Sequence, residues 1–259
     1  MNAPSQQGWT LARVTGGLLR RAARWWPARR YSMRNPRPLL SICFDDVPAS
    51  ACREGAQILE AAGVRGTFYV CAGLTQPDNS GRDMHTAEDL VRLHRAGHEL
   101  GSHGFAHLNY ESLTPAEALA DLKRNDDAMA ELIAHYRFAT FAFPFGGVRP
   151  STKRAAGARF HCMRGIHGGV NAGMMDVSLL KANEFYQRTM TASRLESLLH
   201  ETVQRNGWLI LFTHDVRARP SDVGCTPELL RLAVQRAAEL GLEVLPVKQA
   251  LARAAFHPI

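Results

Sequence analysis

The residues of this chain best suited to chemistry fall in four short places, each at the end of an apolar run. Ser41-Ile42-Cys43-Phe44 leads directly into Asp45 and Asp46. Adjacent carboxylates repel each other unless a positive group holds at least one of them, and a divalent cation is an economical counter-charge. Solvated aspartates at a turn are the simpler alternative. His98 to His107 contains His103 and His107, four positions apart, a spacing that on one helical turn lets both imidazoles meet one metal ion. Taken alone, such a pair is a weak signal. Phe141-Ala142-Phe143 breaks at Pro144-Phe145-Gly146-Gly147, where freed backbone N–H groups could face an oxyanion or simply turn the chain. Trp208 to Phe212 delivers Thr213, His214 and Asp215. An imidazole at a cleft edge there suits proton donation, and a hydrogen-bonded structural histidine is the alternative. The combination says more than its parts: a two-histidine, one-carboxylate metal site with a spare base and a spare acid.

Groups from four distant segments meet only if the intervening chain brings the four run ends together. From Pro38 onward short apolar runs alternate with helical stretches, the pattern of βα units and a largely parallel sheet, whose functional groups collect at the carboxyl ends of the strands. The pattern predicts strands at 39–44, 66–70, 99–102, 138–143, near 159–163, at 208–213 and at 243–246. It predicts helices at 50–62, 86–95, 114–135, 193–206 and 227–240. Thr114-Pro115-Ala116-Glu117 is a clear helix start, with a capping threonine, proline in the first turn and glutamate at the third position. Residues 73–85 and 164–188 carry no clear pattern. About seven βα units favour an α/β fold closed into a distorted (β/α) barrel.

With 259 residues, 46% hydrophobic and 21% charged, the chain can bury a full core. Its five cysteines are odd in number and widely spaced, which suggests neither a disulfide framework nor a cysteine zinc site. The net charge of +7 is localised: residues 1–37 hold eight arginines and no acid, so removing them leaves −1 for the remainder. A near-neutral core argues against a nucleic-acid groove. The domain reading is therefore a basic extension at 1–37 and a catalytic domain at 38–259. Trp9 to Trp26 interleaves apolar residues with arginines, as an interfacial helix would, so peripheral contact of residues 9–30 with an anionic membrane is a possible partner interaction. The basic stretch lacks the apolar run of a secretory signal. The expected location is the cytoplasm, with peripheral attachment at the inner membrane face as a variant.

The ordered set Phe44-Asp45-Asp46, His103 with His107, Pro144-Phe145-Gly146 and Leu211 to Asp215 resembles the polysaccharide deacetylase (NodB-homology) family, carbohydrate esterase family 4, over about residues 38–248. Gly66-Thr67-Phe68-Tyr69-Val70 and Gly97 to His103 fit as well. The resemblance implies Asp45 as general base, Asp46, His103 and His107 as ligands of a divalent metal, and His214 as general acid. It also implies Pro144 and Phe145 at the substrate, with the Phe145 N–H on the oxyanion. Zinc suits such an open site first, with cobalt or manganese as alternatives. The implied reaction is removal of N-acetyl groups from N-acetylglucosamine-type units of an oligo- or polysaccharide. O-acetyl ester or small-amide hydrolysis on the same site, and a non-catalytic carbohydrate- or membrane-binding relic, are the competing readings. Two departures from the family pattern stand out. Many members place an arginine where this chain has Ala142, and the family's aspartate partner for the acid histidine has only Asp176 and Asp215 as candidates.

Overall fold

Apolar strands buried on both faces need a layer on each side, and here one layer is the lumen of a curled sheet and the other a ring of helices. The computed structural model describes residues 22–23, 25–26, 28–76 and 83–254, together with the backbone of 257–258. The strands are β1 (Arg30–Ser32), β2 (Leu39–Asp45), β3 (Thr67–Val70), β4 (Glu99–Ser102), β5 (Thr140–Ala142), β6 (Cys162–Arg164), β7 (Met174–Asp176), β8 (Asn183–Glu184), β9 (Trp208–Thr213), β10 (Glu243–Val244) and β11 (His257–Pro258). The α-helices are α1 (Ala56–Ala61), entered through a π-helical turn at Ala51–Gly55, α2 (Ala87–Arg95), α3 (Pro115–Leu132), α4 (Pro150–Gly157), α5 (Ala192–Gln204), α6 (Pro227–Glu239) and α7 (Val247–Arg253). The curled sheet runs β6-β5-β4-β3-β2-β9-β8, all parallel, with β10 beside the start of β2.

Residues 177–184 draw the two sheet edges together. The first part of this segment exchanges bonds with β6, from Met163 N to Val177 O and from Leu180 N to Met163 O, both at 2.8 Å. Its last two residues, β8, pair with β9. The result is the distorted barrel expected from the sequence.

Strand parity separates two cores. Leu40, Ile42, Phe44, Phe68, Val70, Leu100, Leu209 and Leu211 face the helices, while Leu39, Cys43, Tyr69, Ala142, Cys162, Ile210 and Phe212 fill the lumen. Each leucine, isoleucine, valine or phenylalanine among them stabilises the fold by roughly 1.5–3 kcal/mol when fully buried. Gly101 belongs to the lumen row, where a Cβ would meet the Tyr69 ring at 2.5 Å. Below it, the buried Glu99 accepts from Thr67 Oγ1, Thr140 Oγ1 and Lys248 N at 2.9, 2.6 and 2.8 Å, closing the far end of the lumen with a satisfied polar cluster.

The helix starts follow their caps: Thr86 and Thr114 form capping boxes with Asp89 and Glu117. Three features depart from the sequence pattern. The strand expected near 159–163 lies at Cys162–Arg164, which puts Arg164 in the sheet. The unpatterned 164–188 stretch holds β7, β8 and the barrel seam, and α4 and α7 are additional helices. A small antiparallel sheet, β11-β1-β7, draws Arg30–Ser32 against Met174–Asp176. All five cysteines are buried and free. Of the suggested interfacial helix at 9–26, most lies outside the described residues; Ala22 and Trp26 close one helical turn, Trp26 N to Ala22 O at 2.9 Å. No described helix is long and apolar enough to cross a membrane.

Candidate metal centre and catalytic site

β2 ends in a backbone reversal that parts its two carboxylates. Asp45 keeps the lumen parity of Leu39 and Cys43, whereas Asp46 and Val47 both adopt left-handed φ of 58°, each costing on the order of 1–3 kcal/mol outside glycine. The turn is held by packing: Val47 is fully buried, and its carbonyl accepts from His85 N at 3.2 Å and faces His85 Nδ1 at 2.9 Å. Asp46 Oδ1 then lies 3.1 Å from His107 Nε2 and 3.7 Å from His103 Nε2, and Asp46 Oδ2 lies 3.7 Å from His214 Nε2.

The two histidines come from the loop after β4, not from a helical turn. Gly104 at φ 77° and His107 at φ 51° bend the loop back on itself. Asp121 of α3, itself buried, holds that bend: Oδ2 accepts from Phe105 N at 3.0 Å and Tyr110 Oη at 2.7 Å, and Oδ1 from Ala106 N at 3.1 Å. A Cβ on Gly104 would meet Asp121 Oδ2 at 2.5 Å, so the close approach requires glycine. One turn further along α3, Asn125 accepts from Ala72 N and donates to Val70 O and Ser102 Oγ, tying the loop bases together.

His103 Nδ1 lies 2.8 Å from the Ala142 carbonyl, which can only accept, so Nδ1 carries the proton and Nε2 presents a lone pair. Burial pushes the His103 imidazole down to about 4 despite the nearby aspartates, so the ring is neutral at neutral pH. Asp46, His103 and His107 place their ligand atoms within 4.8 Å of one another. Asp46 Oδ1 is buried with no hydrogen-bond donor among the described residues, a costly state for a carboxylate oxygen unless a cation sits against it. This donor set fits a divalent metal.

Asp45 faces a different partner, Arg164 at the end of β6, in a fully buried ion pair that sequence pattern alone does not reveal. Ala142 and Arg164 are register neighbours on β5 and β6, so the guanidinium occupies the rung that an arginine at 142 would share. Tyr69 and Phe212 present their rings to it at 4.5 and 4.9 Å. Burial would raise the Asp45 carboxyl, but Arg164, with His103 and His214, outweighs it and holds the group below the usual carboxylate range. The neighbour expected to be lacking is thus supplied from the adjacent strand.

His214, at the end of β9, turns Nδ1 to the Val223 carbonyl at 3.3 Å and leaves Nε2 toward the site. Neither aspartate candidate serves it: Asp215 accepts from Ser221 and faces Arg217 Nε at 3.2 Å, and Asp176 pairs with Lys153. After β5, Pro144 is buried and Phe145 takes φ 56° with its ring 4.4 Å from that of His107. The amides of Gly146 and Gly147 are bound to Phe143 O and Pro144 O, whereas the Phe145 N–H meets no acceptor among the described residues. All seven residues singled out from the sequence therefore converge on one end of the barrel.

Residues 32–160 match the family model described as polysaccharide deacetylase. A chitin deacetylase of Arthroderma benhamiae is 31% identical over 94 residues, 36% of this chain and 24% of that protein, so the match spans about a quarter of the relative's length. Among solved structures, a deacetylase with substrate superposes with a TM-score of 0.60 at 18% identity, covering 86% of this chain and 94% of the other. A carbohydrate esterase family 4 pseudoenzyme from Bacillus anthracis gives 0.58 at 15%, covering 87% and 69%. At these identities the superpositions speak for the fold alone, a fold that carries both active and inactive chains.

Proposed function

Since the chain belongs to the polysaccharide deacetylase family, we propose that it removes N-acetyl groups from N-acetylglucosamine-type units of an oligo- or polysaccharide, using a divalent metal, zinc first among the choices. The observation that carries this reading is the buried Asp46 Oδ1, without a hydrogen-bond donor among the described residues, facing two histidine nitrogens, with an ionised Asp45 beside it. Asp46, His103 and His107 would hold the metal, which when bound supplies Lewis acidity toward a carbonyl and acidifies water.

The chain's own residues account for the remaining steps. Asp45, kept ionised by Arg164, accepts the proton of the attacking water. The Phe145 N–H donates to the oxygen that gains charge as the acetyl carbon becomes tetrahedral. His214, acting as the imidazolium with its Nδ1–H held by the Val223 carbonyl, gives the Nε2 proton to the departing nitrogen as the carbon–nitrogen bond breaks and is left neutral. Phe145, 57% exposed beside Pro144, offers an aromatic face to the sugar.

The test is acetate release from N-acetylglucosamine oligomers by metal-depleted protein, with and without added zinc, alongside Asp45→Ala. Release that zinc restores and the substitution abolishes supports the reading. A metal-loaded protein that releases acetate only from acetylated xylan would replace the amide with an ester, and one that releases none from either would put the chain with the inactive members of its fold.

A further inference from the structure

Seven large apolar side chains are notably exposed among the described residues; Leu108, Phe145 and Ile166 stand on the loops at the end of the barrel that holds the site, and Trp25 and Trp26 on a cleft beside the helix starts next to those loops. Leu108 follows His107, Phe145 follows the end of β5, and Ile166 follows β6 and packs on the Phe145–Gly146 turn, where a Cβ on Gly146 would meet Ile166 Cγ1 at 2.3 Å. The two tryptophans are 84% and 78% exposed. They line a cleft of about 940 Å³ together with Pro115 and Pro150. Those prolines open α3 and α4, the helices that follow β4 and β5, and such helix starts lie at the carboxyl ends of the strands.

The tryptophan turn is anchored while its indoles are not. Lys153, 1% exposed, donates to Ala23 O at 2.7 Å and Trp26 O at 3.1 Å and pairs with Asp176, and Ala23 is fully buried. A backbone fixed by a buried cation that nevertheless turns two indoles outward is built to present them. Along the sequence the two tryptophans belong to a segment that carries eight arginines and no acid through residue 37, with Arg24 immediately before them. Arg149 and Arg154 add charge at α4, and Glu117, the acid in the first turn of α3, is engaged by Thr114.

We propose that this end of the barrel docks on an anionic lipid surface, tryptophans and rim residues at the headgroup level and arginines against the lipid phosphates, so that the site opens toward the membrane. Indoles favour the boundary between headgroups and acyl chains, and each arginine near an anionic surface adds to the attraction. An uncharged acetylated glycan would give the arginines no partner, which favours lipid over glycan as the occupant. The proposal does not depend on the deacetylase reading, because attachment is measured without turnover.

The experiment is sedimentation of the full chain with vesicles of phosphatidylcholine alone and with phosphatidylglycerol added, for wild type and for a Trp25→Ala/Trp26→Ala double variant. Expected are binding to the anionic vesicles that weakens as salt rises, little to the neutral ones, and a loss of about tenfold or more in the variant. The thermal unfolding midpoint should be the same in both proteins, which shows that the variant is folded. Absence of vesicle binding, equal binding to both compositions, or full binding by the variant overturns the proposal. Loss of binding to immobilised N-acetylglucosamine polymer in the variant, without any vesicle binding, would assign the indoles to the glycan instead.

Discussion

An ionised carboxylate inside a barrel lumen is unfavourable by several kcal/mol unless a cation meets it there, and Arg164 is the group that meets Asp45. Removing one member of such a pair leaves the other buried and alone, so Arg164→Ala should lower unfolding stability by about 3–5 kcal/mol and reduce acetate release with it. Ala142→Arg added to that variant should recover part of both, because positions 142 and 164 share a rung on neighbouring strands; denaturant midpoints and turnover of the single and double variants decide this. By contrast, Asp45→Asn leaves all three proposed metal ligands intact and removes the base. It should cut the rate by about 10²–10⁴ with metal content unchanged. The acid side of the stability profile has a readable sign. Because the His103 pKa is lowered from 6.5 to about 4 in the folded state, the unfolded chain binds its proton first. Stability of the metal-free protein is then complete above the unfolded value and falls as pH drops from 6.5 toward 4, by up to about 3 kcal/mol for this group. The lowered Asp45 pKa extends the loss, since its contribution is present above the ordinary carboxylate range and disappears below it. A thermal melt series of metal-free protein from about pH 7 down through the ordinary carboxylate range and below it tests both losses.

At the scale of elements, α3 serves the site without reaching it. Asp121 accepts two amides of the loop that carries His107, and these have no substitute acceptor if the carboxylate becomes an amide group turned the wrong way. Asp121→Asn should therefore weaken metal affinity by about 10- to 100-fold, as losses behind metal ligands commonly do, read by chelator competition or by the absorption of bound cobalt. Tyr110→Phe, which removes a single donor to the same carboxylate, should cost less. The strand ends bearing Asp45, Asp46, His103, His107, Phe145 and His214 are legible in the sequence because each follows an apolar run, and the helix starts at Thr86 and Thr114 because their caps are written in residue types. Arg164 and Asp121 are not legible in the same way. Arg164 acquires its role only from the register of β6 on β5, and it sits at the edge of a stretch whose two- and three-residue strands are too short to show a period. Asp121 reads as one more polar residue of an amphipathic helix until the fold brings the histidine loop against it. The His103–His107 pair meets Asp46 through a bent loop instead of the helical turn that its spacing suggested.

For the molecule as a whole, the basic segment is fastened by Lys153 and by the β11-β1-β7 sheet. Lys153→Ala should release the turn around Ala23 and speed tryptic cleavage at Arg24 and Arg29 while leaving the barrel resistant; equal cleavage of both proteins would show that the three-stranded sheet holds the segment alone. The Arg164–Asp45 pair acts at the same scale. β6 and β2 stand four places apart in the sheet, and β6 borders the seam closed by residues 177–184. Hydrogen bonds around the wall act like a hoop, and the ion pair is a spoke across it. Unzipping the seam would carry β6 outward and pull that spoke, so the joint that shuts the barrel and the charge that readies its base cannot yield independently. Amide hydrogen exchange at Gly165 and Leu180, whose N–H groups stitch the seam, should thus quicken when the spoke is cut at either end.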